Sequence, residues 1–245
     1  MKKTAIFGLG EAGSLIARDL FAAGVEVRAY DPADVATPEG VIRHENPAAI
    51  VRDADMVFAL TAAADAVQAM KQALEDIPAT AIYADFSTAA AGLKQTLATL
   101  AHSAGFAFAD VALLAIVPGH GIRATALVSG TGATEFARRM RPFGMPVNEI
   151  GDQAGDAATR KLLRSVMMKG LAAVTIEAMR AAQAAGCQDW LWQNLGDEIS
   201  KANADTLARL VTGSQKHALR RLHEMEASTT LLQELGIDPV MTRCT

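Results

Sequence analysis

The chain changes its hydrophobic pattern close to residue 151. Before that point, short apolar runs alternate with amphipathic stretches in which apolar residues recur at helical spacing. Runs too short for a helix suit buried strands, and strands that alternate with helices build a parallel sheet covered on both faces. We therefore expect an α/β domain with strands at 4–7, 25–30, 56–60, 81–85, 106–111, 124–129 and 147–150.

Beyond residue 151 the pattern is helical to the end of the chain. Residues 157–185 predict one long helix that Gly186 ends, and residues 215–235 predict a final one. The first of these helices is apolar nearly all round, and such a helix must be buried. About ninety residues bury it poorly alone, so we expect a second subunit. The pattern thus predicts two domains, 1–152 and 153–245, of which the second is smaller, all-α and responsible for forming a homodimer.

A glycine-rich turn joins the first predicted strand to the first helix. Residues 8–13 fit the pattern G-x-G-x-x-G, and Asp31 closes the next strand. These glycines allow a sharp turn, close approach of the backbone to a pyrophosphate, and close packing of helix on strand. The N–H groups of the helix then face the phosphates. This context predicts a Rossmann fold, with a doubly wound and mainly parallel sheet, that binds a dinucleotide. The alternative is a doubly wound domain whose turn glycines are only structural.

Several residues at the predicted carboxyl ends of the strands are candidates for holding the cofactor, because ligands of such sheets bind at that edge. Ser87 and its neighbour Thr88 could hydrogen-bond the ribose or a substrate, although hydroxyls in this position often only cap the next helix. The candidate cofactor residues are Gly8, Leu9, Gly10, Glu11, Ala12, Gly13, Asp31, Thr61 and Ser87.

Asp31 indicates which dinucleotide is bound. Its carboxylate suits the two ribose hydroxyls of adenosine, and its charge would repel a 2′-phosphate. The next residue is Pro32 rather than an arginine or lysine. The sequence therefore favours NAD over NADP.

Composition and charge narrow the classes of partner. A net charge of -4 and an aromatic content of 5% give no reason to expect nucleic acid. No apolar stretch is long enough to span a bilayer without charges, and no cleavage site follows Met1-Lys2-Lys3. Cys187 and Cys244 lack the spacing of a metal or redox site. We expect a cytoplasmic protein that acts on a small molecule, without metal, membrane or nucleic acid.

Lys161, Arg164 and Ser165 share one face of the long predicted helix. Two cations near the N-terminal end of an apolar helix are disfavoured by the helix dipole, but they suit an anionic substrate at a cofactor cleft. Burial and the charge of Arg164 would favour the neutral amine of Lys161, the form that accepts a proton. The alternative is a lysine whose stem packs while its head reaches water.

Two further groups are candidates for substrate binding. The turn at residues 118–123 contains His120 and Arg123, which could hold a carboxylate together with Arg164. A tight surface loop is the equally weighted alternative. His217, on the final predicted helix, is a further candidate for lining the pocket, although such charged stripes are mostly solvated faces.

Several motifs together resemble the β-hydroxyacid dehydrogenases, the group of 3-hydroxyisobutyrate and 6-phosphogluconate dehydrogenases. The resemblance covers most of the chain and is strongest to a branch with a short helical carboxyl domain that is phosphogluconate-dehydrogenase-like. The motifs are the glycine fingerprint, Asp85-Phe86-Ser87-Thr88, Asp110-Val111-Ala112, Gly155-x5-Lys161, and the stretches 161–170 and 220–226.

The resemblance implies that Lys161 is the catalytic acid/base, that Ser87 lies near the nicotinamide, and that the long helix helps to form a dimer. Two departures affect substrate binding. Residues 114–116, Leu-Ala-Ile, replace the usual Ser-Gly-Gly turn that holds a substrate carboxylate, and Arg164 replaces the usual asparagine.

These features predict an oxidoreductase that moves a hydride between NAD and a small hydroxy acid, with Lys161 as general acid/base. Two alternatives remain open. The loss of the Ser-Gly-Gly turn suits an imine or ketone reductase that acts on a less acidic substrate. The chain could also be a regulatory protein that binds NAD(H) without catalysis.

Overall fold

A computed structural model describes residues 1–245, which divide into two compact units, Met1–Arg164 and Ser165–Thr245. The first unit contains one eight-stranded sheet. Most of its strands are short and rich in buried apolar residues, as expected where both faces of a sheet are covered. The strands are β1 (Lys3–Phe7), β2 (Glu26–Tyr30), β3 (Ile42–Arg43), β4 (Met56–Ala59), β5 (Ile82–Asp85), β6 (Ala107–Leu113), β7 (Ala126–Ser129) and β8 (Val147–Glu149).

The strand order is β3-β2-β1-β4-β5-β6-β7-β8. All neighbours pair in parallel except β6 and β7, which are antiparallel. The chain leaves β1 to build β2 and β3 on one side and returns to place β4 on the other. Such a reversal opens a crevice beyond the carboxyl ends of β1 and β4, where ligands of doubly wound sheets bind.

Helices cover both faces of this sheet, and an apolar core lies on each face. Helix α1 packs Ile16 and Leu20 into one core, whereas α4 packs Leu97 and Ala101 into the other. The helices are α1 (Glu11–Ala22), α2 (Pro47–Val51), α3 (Ala66–Lys71), α4 (Ala91–Ala104) and α5 (Ala133–Met140).

A long helix, α6 (Asp156–Ala184), begins in the first unit and continues into the second. The rest of the second unit consists of α7 (Gln188–Ser200), α8 (Ala204–Lys216) and α9 (Ala218–Glu234), followed by a short 3-10 turn. The only buried residues there are Ala181, Ala182, Leu232 and Pro239. The second unit therefore has almost no core of its own within one chain. No helix of the molecule combines the length and the apolar character needed to cross a membrane.

The predicted fold class is confirmed: a mainly parallel Rossmann sheet is followed by helices alone. The predicted long helix agrees with α6 to within a residue at each end. The predicted final helix is broken, since α8 ends at Lys216 and α9 begins at Ala218. The predicted boundary after residue 152 precedes α6, whereas the division into compact units falls inside that helix, because its first turn is hydrogen-bonded to the sheet.

Candidate active site

The glycine turn after β1 brings α1 directly onto the strand. Gly8 has a φ of +93°, and a Cβ atom there would lie 2.6 Å from the carbonyl oxygen of Leu60. A Cβ atom on Gly13 would lie 1.9 Å from the carbonyl oxygen of Gly8. Neither position accepts a side chain, because both neighbours are backbone atoms that cannot move away. These contacts fix the start of α1 at the mouth of the crevice.

The first turn of α1 has no side-chain cap. Gly10 is the N-cap residue, and no side chain accepts a hydrogen bond from the N–H groups that follow it. A Cβ atom on Gly10 would meet nothing within 4 Å, so this side of the turn is open. Glu11 is exposed and Ala12 half-buried at the same helix end. Uncapped N–H groups at a helix N-terminus that faces open space form a site for an anion such as a pyrophosphate.

Asp31 links the glycine turn to the loop that follows β2. Its Oδ2 accepts a hydrogen bond from the N–H of Leu9 at 2.7 Å, and its Oδ1 accepts one from the N–H of Ala33 at 2.8 Å. A carboxylate offers about four lone-pair sites, so it can also accept bonds from ribose hydroxyls. The guanidinium of Arg43, on β3, donates to the carbonyl oxygens of Asp31 and Ala33, at 3.0 and 2.5 Å, and so holds the same loop.

A cleft of about 440 Å³ lies at the crevice between β1 and β4. Its lining includes Gly8, Gly10, Asp31 and Thr61, together with Gln68 and Gln72 from α3 and the turn after it. The hydroxyl oxygen of Thr61 is buried and has no hydrogen-bond partner in the protein. An open glycine turn, an acceptor at the end of β2 and an unpartnered hydroxyl fit a dinucleotide that lies along this edge.

A second group of polar side chains lies on the loop after β5, the strand beside β4. Ser87 is buried, and its hydroxyl donates to Oδ2 of Asp85 at 2.7 Å. Thr88 is exposed, and its Oγ1 accepts a hydrogen bond from Nζ of Lys161 at 3.0 Å. Lys161, the predicted acid/base, therefore contacts the loop after β5, which contains the predicted hydroxyl residues Ser87 and Thr88. Ser87, Thr88 and Lys161 do not line the 440 Å³ cleft but sit at the next strand end along the same edge.

Three fully buried charged side chains lie beneath this loop. Nζ of Lys94, on α4, lies 2.6 Å from Oδ2 of Asp85 and 3.1 Å from Oδ1 of Asp110. Burial, together with the charge of Asp85, raises the pKa of the Tyr83 hydroxyl well above its ordinary value. Lys94 was not among the residues predicted from the sequence. Helical spacing could have identified it, because Lys94 falls on the same stripe of α4 as Leu97 and Ala101, where a cation requires buried partners.

Asp110 also caps the helix that carries Lys161. Its Oδ2 accepts hydrogen bonds from the N–H groups of Gly155, at 3.1 Å, and Ala158, at 3.0 Å. Ser129 accepts the N–H of Ala157 at 3.1 Å. The first turn of α6 is thus satisfied by side chains of β6 and β7 rather than by a residue of its own sequence.

The remaining candidate substrate residues lie on other segments of the chain. Arg164 is exposed on α6, one turn beyond Lys161, and Ser165 follows it half-buried. His120 and Arg123 are both exposed, and their loop is held against α1 because the N–H of Ile122 donates to Asp19 at 2.8 Å. His217 lies exposed in the second unit, between α8 and α9.

Comparison with known proteins reveals both family and fold. Residues 3–134 match the family described as the NAD binding domain of 6-phosphogluconate dehydrogenase, and residues 182–245 match a domain of unknown function, DUF1932. An uncharacterised 28.5 kDa protein encoded in the 7S RNA 5′ region of Methanothermus fervidus is 32% identical over 119 residues. Those residues are 49% of this chain and 47% of that protein, so the chain spans about half the length of the curated relative that it matches.

Two solved structures share the fold over almost the whole chain. A reductive aminase from Aspergillus terreus, in complex with NADPH and ethyl levulinate, is 18% identical with a TM-score of 0.82 and is matched over 99% of this chain and 90% of its own. A variant imine reductase from Myxococcus stipitatus, in complex with NAD+, is 17% identical with a TM-score of 0.79 over 100% and 91%. Identities this low show the fold alone.

The family match covers more than half of the chain and includes the glycine turn, Asp31, Thr61 and the Ser87 loop. It agrees with the geometry of the cleft, which is built to hold a dinucleotide. The chain belongs to the family defined by the NAD binding domain of 6-phosphogluconate dehydrogenase.

Proposed function

We propose that the protein is an NAD(P)-dependent oxidoreductase that moves a hydride between the nicotinamide and a small hydroxy acid, with Lys161 as general acid/base. The observation that carries this proposal is the contact between Nζ of Lys161 and Oγ1 of Thr88, 3.0 Å apart. It places an amine at the strand end adjoining the dinucleotide cleft. An amine in that position is suited to exchange a proton with a substrate at the nicotinamide end of the cofactor.

Several residues of the chain would bind the cofactor, and Lys161 would transfer the proton. When bound, the nicotinamide supplies or accepts the hydride. The N–H groups at the start of α1 would hold the pyrophosphate, Asp31 the adenosine ribose, and Thr61 and Ser87 the part of the cofactor nearer the reacting carbon. In the oxidative direction, the neutral amine of Lys161 takes the hydroxyl proton as the hydride leaves the carbinol carbon. In reduction, the ammonium returns that proton to oxygen.

Asp31 supports NAD as the preferred cofactor. Its carboxylate is held in place by two backbone N–H groups, at 2.7 and 2.8 Å, so it cannot turn away from an incoming ribose without breaking both. A 2′-phosphate would meet this fixed negative charge. Arg43 lies beside the same loop, but it already donates to backbone carbonyls. The site therefore favours a ribose with two hydroxyls.

A reductase that acts on an imine or a ketone is the second candidate. One observation favours it: residues 114–116 are Leu-Ala-Ile, and Ile116 is exposed, so this turn presents apolar side chains and no hydroxyl for a carboxylate. The reductive aminase and the imine reductase that share the fold are consistent with this candidate. The two candidates use the same cleft and the same lysine but differ in the charge of the substrate.

We also propose that the functional unit is a homodimer formed through the second unit. Val166, Met167 and Met168 on α6 are 74%, 48% and 42% exposed in the single chain. Trp190, Trp192, Leu210 and Leu219 are exposed on the other helices. So many large apolar side chains on helices with so little core require a covering surface, and a second copy supplies the same faces.

The test of substrate class is a turnover survey with the wild-type protein. We would follow NADH and NADPH absorbance with 3-hydroxy acids, sugar acids, neutral ketones and cyclic imines. Turnover of acids alone supports the hydroxy acid proposal, and turnover of neutral imines or ketones alone supports the second candidate. Tight NADH binding without turnover of any class would instead point to a non-catalytic regulatory protein.

A further inference from the structure

Lys94 occupies a position that its own helix does not favour. It lies in the first turn of α4, where the helix dipole is positive, and its side chain is fully buried. Burial of a cation there is tolerated only when opposite charges and acceptors surround it. Nζ finds three such atoms: Oδ2 of Asp85 at 2.6 Å, the carbonyl oxygen of Asp85 at 3.1 Å and Oδ1 of Asp110 at 3.1 Å.

The first partner, Asp85, is the last residue of β5. The loop after β5 begins at this residue and contains Ser87 and Thr88. Oδ2 of Asp85 receives both the ammonium of Lys94 and the hydroxyl of Ser87, while its carbonyl oxygen receives a second bond from Lys94. The start of this loop is therefore fixed through Lys94 by backbone and side-chain contacts together.

The second partner, Asp110, caps the start of α6, the helix that contains Lys161. Its Oδ1 faces Lys94, and its Oδ2 accepts the N–H groups of Gly155 and Ala158 at the start of α6. Gly155 also packs against α4, where a Cβ atom would lie 2.8 Å from Cβ of Ala91. Lys94 thus joins the two segments that must meet for Lys161 to contact Thr88.

We propose that Lys94 is a positioning residue. It holds the loop after β5 and the start of α6 in the relative position that lets Lys161 contact Thr88. The effect of Lys94 on catalysis rests on the proposed function, whereas its effect on the position of Lys161 does not. Lys94 lies beneath the site and touches neither the dinucleotide cleft nor Thr88, so it acts through Asp85 and Asp110. Its ammonium separates two buried carboxylates that would otherwise repel each other.

The test compares Lys94→Met with the double variant Lys94→Met/Asp110→Asn. The single variant keeps the length of the stem but leaves two buried carboxylates facing each other without a cation. The double variant returns the buried charge of the three residues to that of the wild type, -1 (two aspartates and one lysine). The oxygen of the new amide can still accept from the N–H groups at the start of α6. A role in packing alone predicts no recovery in the double variant.

Two readouts separate the positioning role from the proposed function. The first is the rate at which acetic anhydride acetylates Nζ of Lys161, measured by mass spectrometry across pH 6–10, with Lys201 in the second unit as the internal control. The second is kcat and the KM for NADH, if the survey finds a substrate. Acetylation reports on Lys161 directly and does not need a turnover assay.

We expect Lys94→Met to change the acetylation rate of Lys161 several-fold, with Lys201 unaffected, and the double variant to return it to the wild-type rate. Where turnover exists, kcat should fall roughly 100-fold in the single variant with little change in the KM for NADH, because a displacement of about 1 Å costs that much. A wild-type rate of Lys161 acetylation in Lys94→Met, or no recovery in the double variant, would overturn the proposal.

If Lys94→Met fails to fold, Lys94→Gln takes its place, because its amide can still donate to Asp85 but carries no charge. An altered rate of Lys161 acetylation in Lys94→Gln supports the positioning role, and a wild-type rate overturns it. If the wild-type protein turns over no substrate, the proposed function fails while the acetylation result on Lys94 stands.

Discussion

Two carboxylates at the edge of the sheet, Asp31 and Asp110, each contact two neighbouring segments of the chain. Asp31 accepts the N–H of Leu9 in the glycine turn and the N–H of Ala33 in the next loop. Asp110 faces Lys94 with one oxygen and the start of α6 with the other. The geometry of the site therefore depends on carboxylates that are held from two sides.

Replacement of Asp31 should change which cofactor is preferred. Asp31→Ala removes the acceptor of the ribose hydroxyls and the charge that opposes a 2′-phosphate. Hydrogen bonds to a charged group contribute about 1.5–3 kcal/mol, so NADH affinity should fall roughly tenfold to a hundredfold relative to NADPH affinity. Titration of cofactor fluorescence measures both constants.

Asp31→Asn is the matched control, because it keeps an acceptor for Leu9 while removing the charge. It should admit NADPH more readily than the wild type and lose less NADH affinity than Asp31→Ala. An unchanged ratio of the two affinities in both variants would remove Asp31 from the ribose site.

Part of the site was predictable residue by residue. The glycine turn and Asp31 have fixed spacing within one strand–helix–strand unit, so local sequence was enough to find them. Lys94 and Arg43 were missed because their partners, Asp110 and the loop at 31–35, lie on other elements, so no helix or strand spacing links them to these residues. Lone charged residues have no local spacing that distinguishes a buried network from a solvated face.

At the scale of elements, α5 is tied to the sheet by one charged cluster. Glu135 accepts hydrogen bonds from Arg138 at 2.5 Å and from Arg139 at 2.7 Å, and Arg139 also donates to the carbonyl oxygen of Asp55, just before β4. The hydrogen bonds from Arg138 and Arg139 lower the pKa of Glu135 to about 2. The cluster joins the exposed side of α5 to the edge of the first unit.

The cluster gives a pH-dependent contribution to stability. The pKa of Glu135 lies below the ordinary value of 4.5, so its contribution is complete above about pH 4.5 and is lost as the pH falls towards 2. Because Glu135 is 36% exposed and Arg138 67%, solvent screening limits the effect to roughly 0.5 kcal/mol at pH 7. Glu135→Gln should lower the free energy of unfolding by that amount at pH 7 and by less at pH 3.

Urea denaturation at the two pH values measures this difference. Glu149→Gln, which neutralises another exposed carboxylate of the same unit, is the control and should show a smaller difference at pH 7. A difference for Glu135→Gln that is equal at pH 7 and pH 3 would contradict the assigned role of the ion pairs.

The elements themselves were largely predictable, with informative exceptions. Short apolar or alternating runs predicted seven of the strands, whereas β3 was missed because Ile42 and Arg43 form a two-residue edge strand with little burial. The break between α8 and α9 at His217 was missed because neither proline nor glycine marks it. Helical periodicity continues across such a break, so pattern alone cannot locate it.

At the scale of the whole molecule, the two units differ in how well one chain can bury them. The first unit has an apolar core on each face of its sheet, whereas the second exposes most of its large apolar side chains. The sequence predicted this imbalance through the all-round apolar character of α6. It could not predict which faces would be left uncovered, because that depends on how the helices pack.

The proposed dimer gives a direct prediction. Light scattering should give the wild-type protein a mass twice that of the 25.7 kDa chain. Val166→Glu places a charge on one of the most exposed apolar positions of α6, so it should shift the protein towards a single chain. Lys169→Glu, which introduces the same residue at an already polar, exposed position of α6, is the control and should stay dimeric. A wild-type mass of one chain would contradict the proposal.

In the proposed reaction, Lys161 exchanges a proton with the substrate beside a bound nicotinamide. The most direct measurement is single-turnover hydride transfer, followed at the NADH absorbance, in the wild type, Lys161→Ala and Lys169→Ala, with NADH binding measured in parallel. We expect Lys161→Ala to bind NADH as tightly as the wild type but to transfer hydride at least 100-fold more slowly, within the range known for general acid–base catalysis. Lys169→Ala, on the same helix, should behave as the wild type. Unchanged hydride transfer in Lys161→Ala would show that Lys161 is not the general acid/base.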